Sequence, residues 1–182
     1  MAIELLGGRI LAPYFGSSIY VWGSLITIFM LALSIGYLLG GRLSLNRPSV
    51  RRLGLLFLFA AACVIPIALF SDILLDLIFE FIDDPRYGSL LGSVVLFMAP
   101  TILLGMVSPY AVRLMVRSTE QSGEVAGRLY FVSTMGSAIG TLLTSFYLVL
   151  YFEVNQILRA IMLILIVSGL AAVLHRPAGN RS

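Results

Sequence analysis

Residues 53–71 read LGLLFLFAAACVIPIALFS, with Arg51-Arg52 before them and Asp72 after them. This uncharged run matches the ~20 residues that an α-helix needs to cross the hydrocarbon core of a bilayer. Stretches 19–40, 89–107, 129–150 and 156–174 have the same character, so the sequence predicts five full transmembrane helices. Of the 182 residues 59% are hydrophobic and 12% charged, where a soluble domain carries about a quarter charged residues. A chain of this size has too little interior to hide that apolar surface from water. The composition therefore excludes soluble enzymes and disulfide scaffolds and predicts an all-α polytopic bundle in a single membrane domain, 1–182.

Charge sets the expected orientation. All twelve basic residues are arginines, and nine fall at 42–52, 113–128 and 176–181. Six of the nine acids, Asp72, Asp76, Glu80, Asp83, Asp84 and Glu153, fall in the alternate connections. The positive-inside rule places the arginine-bearing loops and the C-terminus in the cytoplasm. Tyr14, Tyr20, Trp22, Tyr87 and Tyr151 then lie at the outer headgroup level, and Tyr37, Tyr110 and Tyr130 at the inner one, as an aromatic belt requires. The arginines are scattered over loops without interleaved aromatic platforms, which argues against nucleic acid as a partner.

Residues 1–15 are too short for a full span and are expected to form a short N-terminal membrane helix. With Gly16 at the outer surface, Arg9 lies roughly 10 Å deep and Glu4 roughly 18 Å deep. There is neither a basic leading segment nor a cleavage site of the signal-peptide kind. Residues 72–84 repeat Asp72, Asp76 and Glu80 at helical spacing opposite Ile73, Leu77 and Phe81, which predicts an amphipathic helix lying on the outer surface. Its acidic stripe is a candidate for cation capture, weighed against a merely solvated face.

No enzyme signature is present. The lone Cys63 and lone His175 provide no thiolate or imidazole cluster, so neither a metal nor another cofactor is expected. Charges at membrane depth are the informative residues, because they normally face a partner or a water-filled path. Glu4 and Arg9 are the acid and base expected there; on a regular helix they point about 140° apart. They suit either a cation or proton site or a structural clamp between helices. Gly36-x-x-x-Gly40 and Gly136-x-x-x-Gly140 have the spacing that lets helix backbones approach closely. Pro66, Pro100 and Pro109 permit kinks or breaks in the second and third full spans.

Glu4 and Arg9, the run Leu11-Ala12-Pro13-Tyr14-Phe15-Gly16-Ser17-Ser18, Trp22, and Gly40-Gly41-Arg42-Leu43 resemble the membrane domain of fused spermidine synthase-like proteins. Ser108-Pro109-Tyr110, Gly127-Arg128-Leu129-Tyr130, Gly136-Ser137 and Gly140-Thr141 extend the likeness over nearly the whole chain. The resemblance implies helices similar to part of a major-facilitator transporter. In that family a cytosolic aminopropyltransferase-like domain commonly follows; this chain ends at Ser182, so no synthase activity is carried over. Leu45 stands where the major-facilitator loop pattern has an acid.

Two functions are expected from these features. One is a transport-type module for an organic cation such as a polyamine, using Glu4, Arg9 and Tyr14 for recognition and Asp72, Asp76 and Glu80 for capture. The other is a non-catalytic scaffold or accessory subunit of a larger membrane complex. Either setting is a lipid bilayer, expected to be a bacterial inner membrane, with a second copy or other membrane subunits as partners. The topology is checked by placing single cysteines in a Cys63→Ala background. A cysteine at Asn155 is expected to react with a membrane-impermeant maleimide on intact cells and one at Ser122 only after lysis; the opposite pattern inverts the orientation.

Overall fold

The computed structural model describes residues 1–45, 48–116 and 122–175. Every regular element among them is helical: α1 (Ala2–Phe15), α2 (Ile19–Leu43), α3 (Val50–Phe81), α4 (Pro85–Met115), α5 (Ser122–Tyr151) and α6 (Val154–Leu174). Helices α2 to α6 are each long and apolar enough to cross a membrane, and the chain is an integral-membrane helix bundle. Asn46, Arg47, Arg117, Arg176 and Arg181 lie outside the described residues.

Local chemistry sets the helix ends. Ser49 caps α3 by accepting the Arg52 N–H at 3.2 Å. Asp84 caps α4 by accepting the Arg86 N–H at 2.8 Å, with Pro85 at the first helical position, where a missing N–H costs nothing. Glu153 and Gln156 form a reciprocal capping box at the start of α6. Gly16, at φ 74°, makes the turn from α1 into α2.

The acidic segment departs from the sequence expectation. Residues 72–81 are helical, but they continue α3 without a break at Ser71 rather than forming a separate surface helix. At ~1.5 Å per residue, a helix entering the hydrocarbon core at Leu53 emerges after ~30 Å near Asp72, so the acidic turns project beyond it. Ser71, Leu75 and Ile78 form a buried stripe that holds this projection against the bundle, whereas Ile73, Leu77 and Phe81 are exposed. The prolines do not interrupt their helices either: Pro66 lies within α3, and Pro100 and Pro109 within α4.

The tightest pair is α2 with α4. Tyr20–Arg86, Ser24–Ser89, Phe29–Phe97 and Gly36–Gly105 meet in the same order along both helices, so the two run parallel. A Cβ on Gly36 would stand 2.9 Å from the Gly105 Cα, and one on Gly40 would stand 2.6 Å from the Met106 Cα. Only glycine allows that backbone approach. A second close crossing joins α3 to α6, where a Cβ on Gly54 would meet the Gly169 carbonyl oxygen at 2.6 Å. Short α1 lies among these helices. Its Leu6 and Leu11 are fully buried, a Cβ on Gly7 would stand 3.0 Å from Leu25, and one on Gly8 would stand 2.8 Å from the Trp22 ring. Phe15 and Leu11 pack toward Gly88 and Gly92 of α4.

At the arginine-bearing end, Tyr110 is fully buried rather than part of the aromatic belt. Its hydroxyl accepts the Ser49 N–H at 3.0 Å and donates to the Ser49 carbonyl at 3.4 Å, fastening α4 to the start of α3.

Helix α5 differs from the rest. Only 6% of its most apolar window is buried, against 33–39% in α2, α3 and α4. Gly136 and Gly140 have nothing within 4 Å of an added Cβ, so this motif packs against nothing among the described residues. Its one fully buried side chain, Thr144, opens a five-residue π-helical turn, Thr144–Leu148, that touches α1.

These contacts rank the substitutions. Gly40→Ala is expected to destabilise the bundle by about 1–3 kcal/mol through overpacking, and Tyr110→Phe by about 1 kcal/mol through the lost hydrogen bonds. Gly136→Ala is expected to stay within about 0.5 kcal/mol of the parent. Unfolding of the purified chain in detergent checks the order.

Candidate functional site

Glu4 sits in the first turn of α1, whose apolar faces hold it inside the bundle, and its side chain is half-buried. It borders a cavity of about 240 Å³ formed with Phe29 and Leu33 of α2, Thr101 and Leu104 of α4, and Ile161 of α6. Thr101 is the other polar side chain in that wall. Among the described residues Glu4 forms no hydrogen bond or close ion pair, and the charge that acts on it is the amino terminus at Met1. A half-buried carboxylate has given up part of the water that stabilises its charge, so a cation beside it is favoured. The cavity lies below the usual ~300–1,000 Å³ of sites for drug-sized ligands, which restricts the space to a small group.

The other residues expected to join Glu4 lie elsewhere. Arg9 is exposed on a different face of α1 and makes no ion pair with Glu4, in keeping with their angular separation on a regular helix. Gly7 and Gly8 do not distort that helix; they make room for Leu25, Phe97 and Trp22. Tyr14 is ten residues from Glu4, ~15 Å along the axis. Its hydroxyl donates to the Asp72 carbonyl at 3.3 Å, tying α1 to the projecting end of α3.

The acidic stripe is brought together by the helix itself. Asp72, Asp76 and Glu80 recur every four residues and are all exposed. Asp83 and Asp84 follow in the connection to α4, so this end of the bundle concentrates negative charge. Arg86 is the nearby exception, and it is engaged with Tyr20: the guanidinium lies 4.8 Å from the ring centroid and donates to the hydroxyl at 3.3 Å. The expected site thus divides into an intrabundle carboxylate and a surface stripe linked to Tyr14. Among the described residues, no group of three His, Cys, Asp or Glu is placed to hold a metal ion.

Comparisons with known protein families, curated proteins and solved structures find no match.

Sequence reasoning missed several structural residues. Gly88-x-x-x-Gly92 has the same spacing as the motifs singled out above and accepts side chains from α1, while Gly54 and Gly169 are single glycines that become partners only through the fold. Ser49 had a readable signal as a helix cap three residues before Arg52, but its bond to Tyr110, 61 residues away, had none.

Proposed function

We propose that this chain is a transport-type membrane module that receives a small organic cation at Glu4. The observation that carries the reading is the half-buried Glu4 carboxylate beside the cavity of about 240 Å³, with no side-chain cation against it among the described residues. One carboxylate matches one ammonium group. The polyamines implied by the spermidine synthase-like resemblance carry several, and the remaining charges would meet Phe29, Leu33, Leu104 and Ile161. Small size and a single charge are therefore the better match, with Asp72, Asp76 and Glu80 raising the local cation concentration at the outer end. A bacterial inner membrane with a cytoplasmic C-terminus is the setting that fits the arginine distribution.

The test is uptake into proteoliposomes of labelled tetramethylammonium, a single-charge probe, alongside labelled spermidine. Tetramethylammonium is expected to enter. Glu4→Gln is expected to lower its uptake at least ~tenfold, ~1.4 kcal/mol, with an unchanged melting temperature. Absence of uptake of both probes, or full activity of Glu4→Gln, would refute the proposal; uptake of spermidine alone would overturn the single-charge assignment.

The bare surface of α5 favours a second reading, an accessory subunit within a larger assembly. A transport module built from six helices also gains from a second copy, so the two readings share this surface and differ at Glu4. Under the accessory reading, Gly136→Leu with Gly140→Leu is expected to abolish co-purification of stoichiometric subunits from mild detergent while leaving the isolated chain's melting temperature unchanged, and Glu4→Gln is expected to have no effect.

A further inference from the structure

A second cavity lies at the arginine-bearing end, between the start of α3 and the ends of α4 and α6. It has a volume of about 720 Å³, within the range of small-molecule sites. Its wall has two chemistries. Arg51, Ser49 and His175 supply hydrogen-bond donors, and Leu114, Val173 and Leu174 supply an apolar side. Arg51 is exposed and forms no hydrogen bond or ion pair among the described residues. His175 is exposed at the end of α6, and its imidazole carries an N–H donor whether neutral or charged.

The surrounding contacts hold this wall in place. The α3–α6 crossing at Gly54 and Gly169 fixes the two helices close behind the cavity. The Tyr110 hydroxyl holds Ser49 through its N–H and its carbonyl, so the start of α3 is fixed to α4 as well. The cavity is therefore bordered by the start of α3 and by two helices, α4 and α6, that are each anchored to α3. The first turn of α3 adds the positive end of its dipole on the Arg51 side.

The height of the cavity in the bundle decides what it suits. Arg51 and Arg52 immediately precede the uncharged run that begins at Leu53, so the cavity lies where headgroups meet acyl chains. A ligand there must be anionic at one end and apolar at the other. A basic pocket between transmembrane helices at this level matches an anionic lipid headgroup.

We propose that this cleft binds an anionic phospholipid, with the phosphate held by Arg51 and His175 and the start of an acyl chain lying against Leu114, Val173 and Leu174. The occupant is a lipid rather than a soluble phosphate because half the wall is apolar and open to the membrane level. This inference is independent of the function proposed for Glu4 and requires only that this end of the bundle reach a membrane face.

The experiment uses the full chain in detergent, with lipid retention read by native mass spectrometry and stability by thermal unfolding. Phosphatidylglycerol and phosphatidylcholine with identical acyl chains are the probes. The parent chain is expected to retain phosphatidylglycerol at least ~tenfold more strongly, ~1.4 kcal/mol. Arg51→Gln with His175→Gln is expected to reduce the preference to within twofold, with the lipid-free melting temperature unchanged because both side chains are exposed. Arg42→Gln, which removes a charge from the same end but outside the cleft, is expected to keep the preference. Equal retention of the two lipids by the parent, a preference surviving in the double variant, or an equal loss in Arg42→Gln would overturn the proposal. Stabilisation by millimolar inorganic phosphate matching that by phosphatidylglycerol would overturn the lipid assignment.

Discussion

The bundle depends on close backbone approach between α2 and α4. Lipid tails are as apolar as leucine side chains, so burying another leucine gives these helices little reason to associate. Dispersion contacts fill that role, and they fall steeply with distance. Gly36, Gly40 and Gly105 remove the side chains that would hold the backbones apart, and Phe29 with Phe97, at 5.6 Å between ring centroids, fills the wider gap toward the outer end. With α4 held against α2, its other contacts arrange the rest: Gly88 and Gly92 receive α1, and Tyr110 anchors α3.

Helix α4 is thus the common partner, and both candidate ligand sites lie on it. Thr101 and Leu104 contribute to the cavity of Glu4, and Leu114 contributes to the cleft of Arg51. The two sites are opposite in charge and occupy different depths. A carboxylate deep in the bundle faces a small space, whereas guanidinium and imidazole groups face a larger one at the membrane boundary.

The spans were legible because hydrophobic length is a property of consecutive residues. Runs such as 53–71 admit no other element in lipid, and the structure has five spanning helices where five runs were read. The continuity of α3 was not legible, because a change from apolar to amphipathic character looks the same whether a helix bends onto the surface or continues beyond the membrane. Partner choice was even less accessible. Gly36-x-x-x-Gly40 and Gly136-x-x-x-Gly140 are indistinguishable as patterns, yet the first lies against α4 and the second faces nothing among the described residues. The cavity at Glu4 shows the same limit: charge at depth identified the residue, but Phe29, Thr101 and Ile161 come from three other helices whose meeting no local pattern encodes. The separation of Arg9 from Glu4 is legible in the helical angle alone, whereas the bond of Tyr14 to the Asp72 carbonyl of α3 depends on the fold.

The parallel arrangement of α2 and α4 also constrains how the protein is made. Parallel neighbours cannot be consecutive in a chain that reverses direction at each crossing, so α3 must traverse the bilayer between them. During synthesis the glycine face of α2 enters the membrane before its partner exists, and its exposed backbone groove must be occupied by lipid or by the insertion machinery until α4 emerges. The order of emergence from the ribosome therefore separates the insertion of α2 from its packing, and the nascent chain passes through an interval in which its most closely packed interface is still only half made.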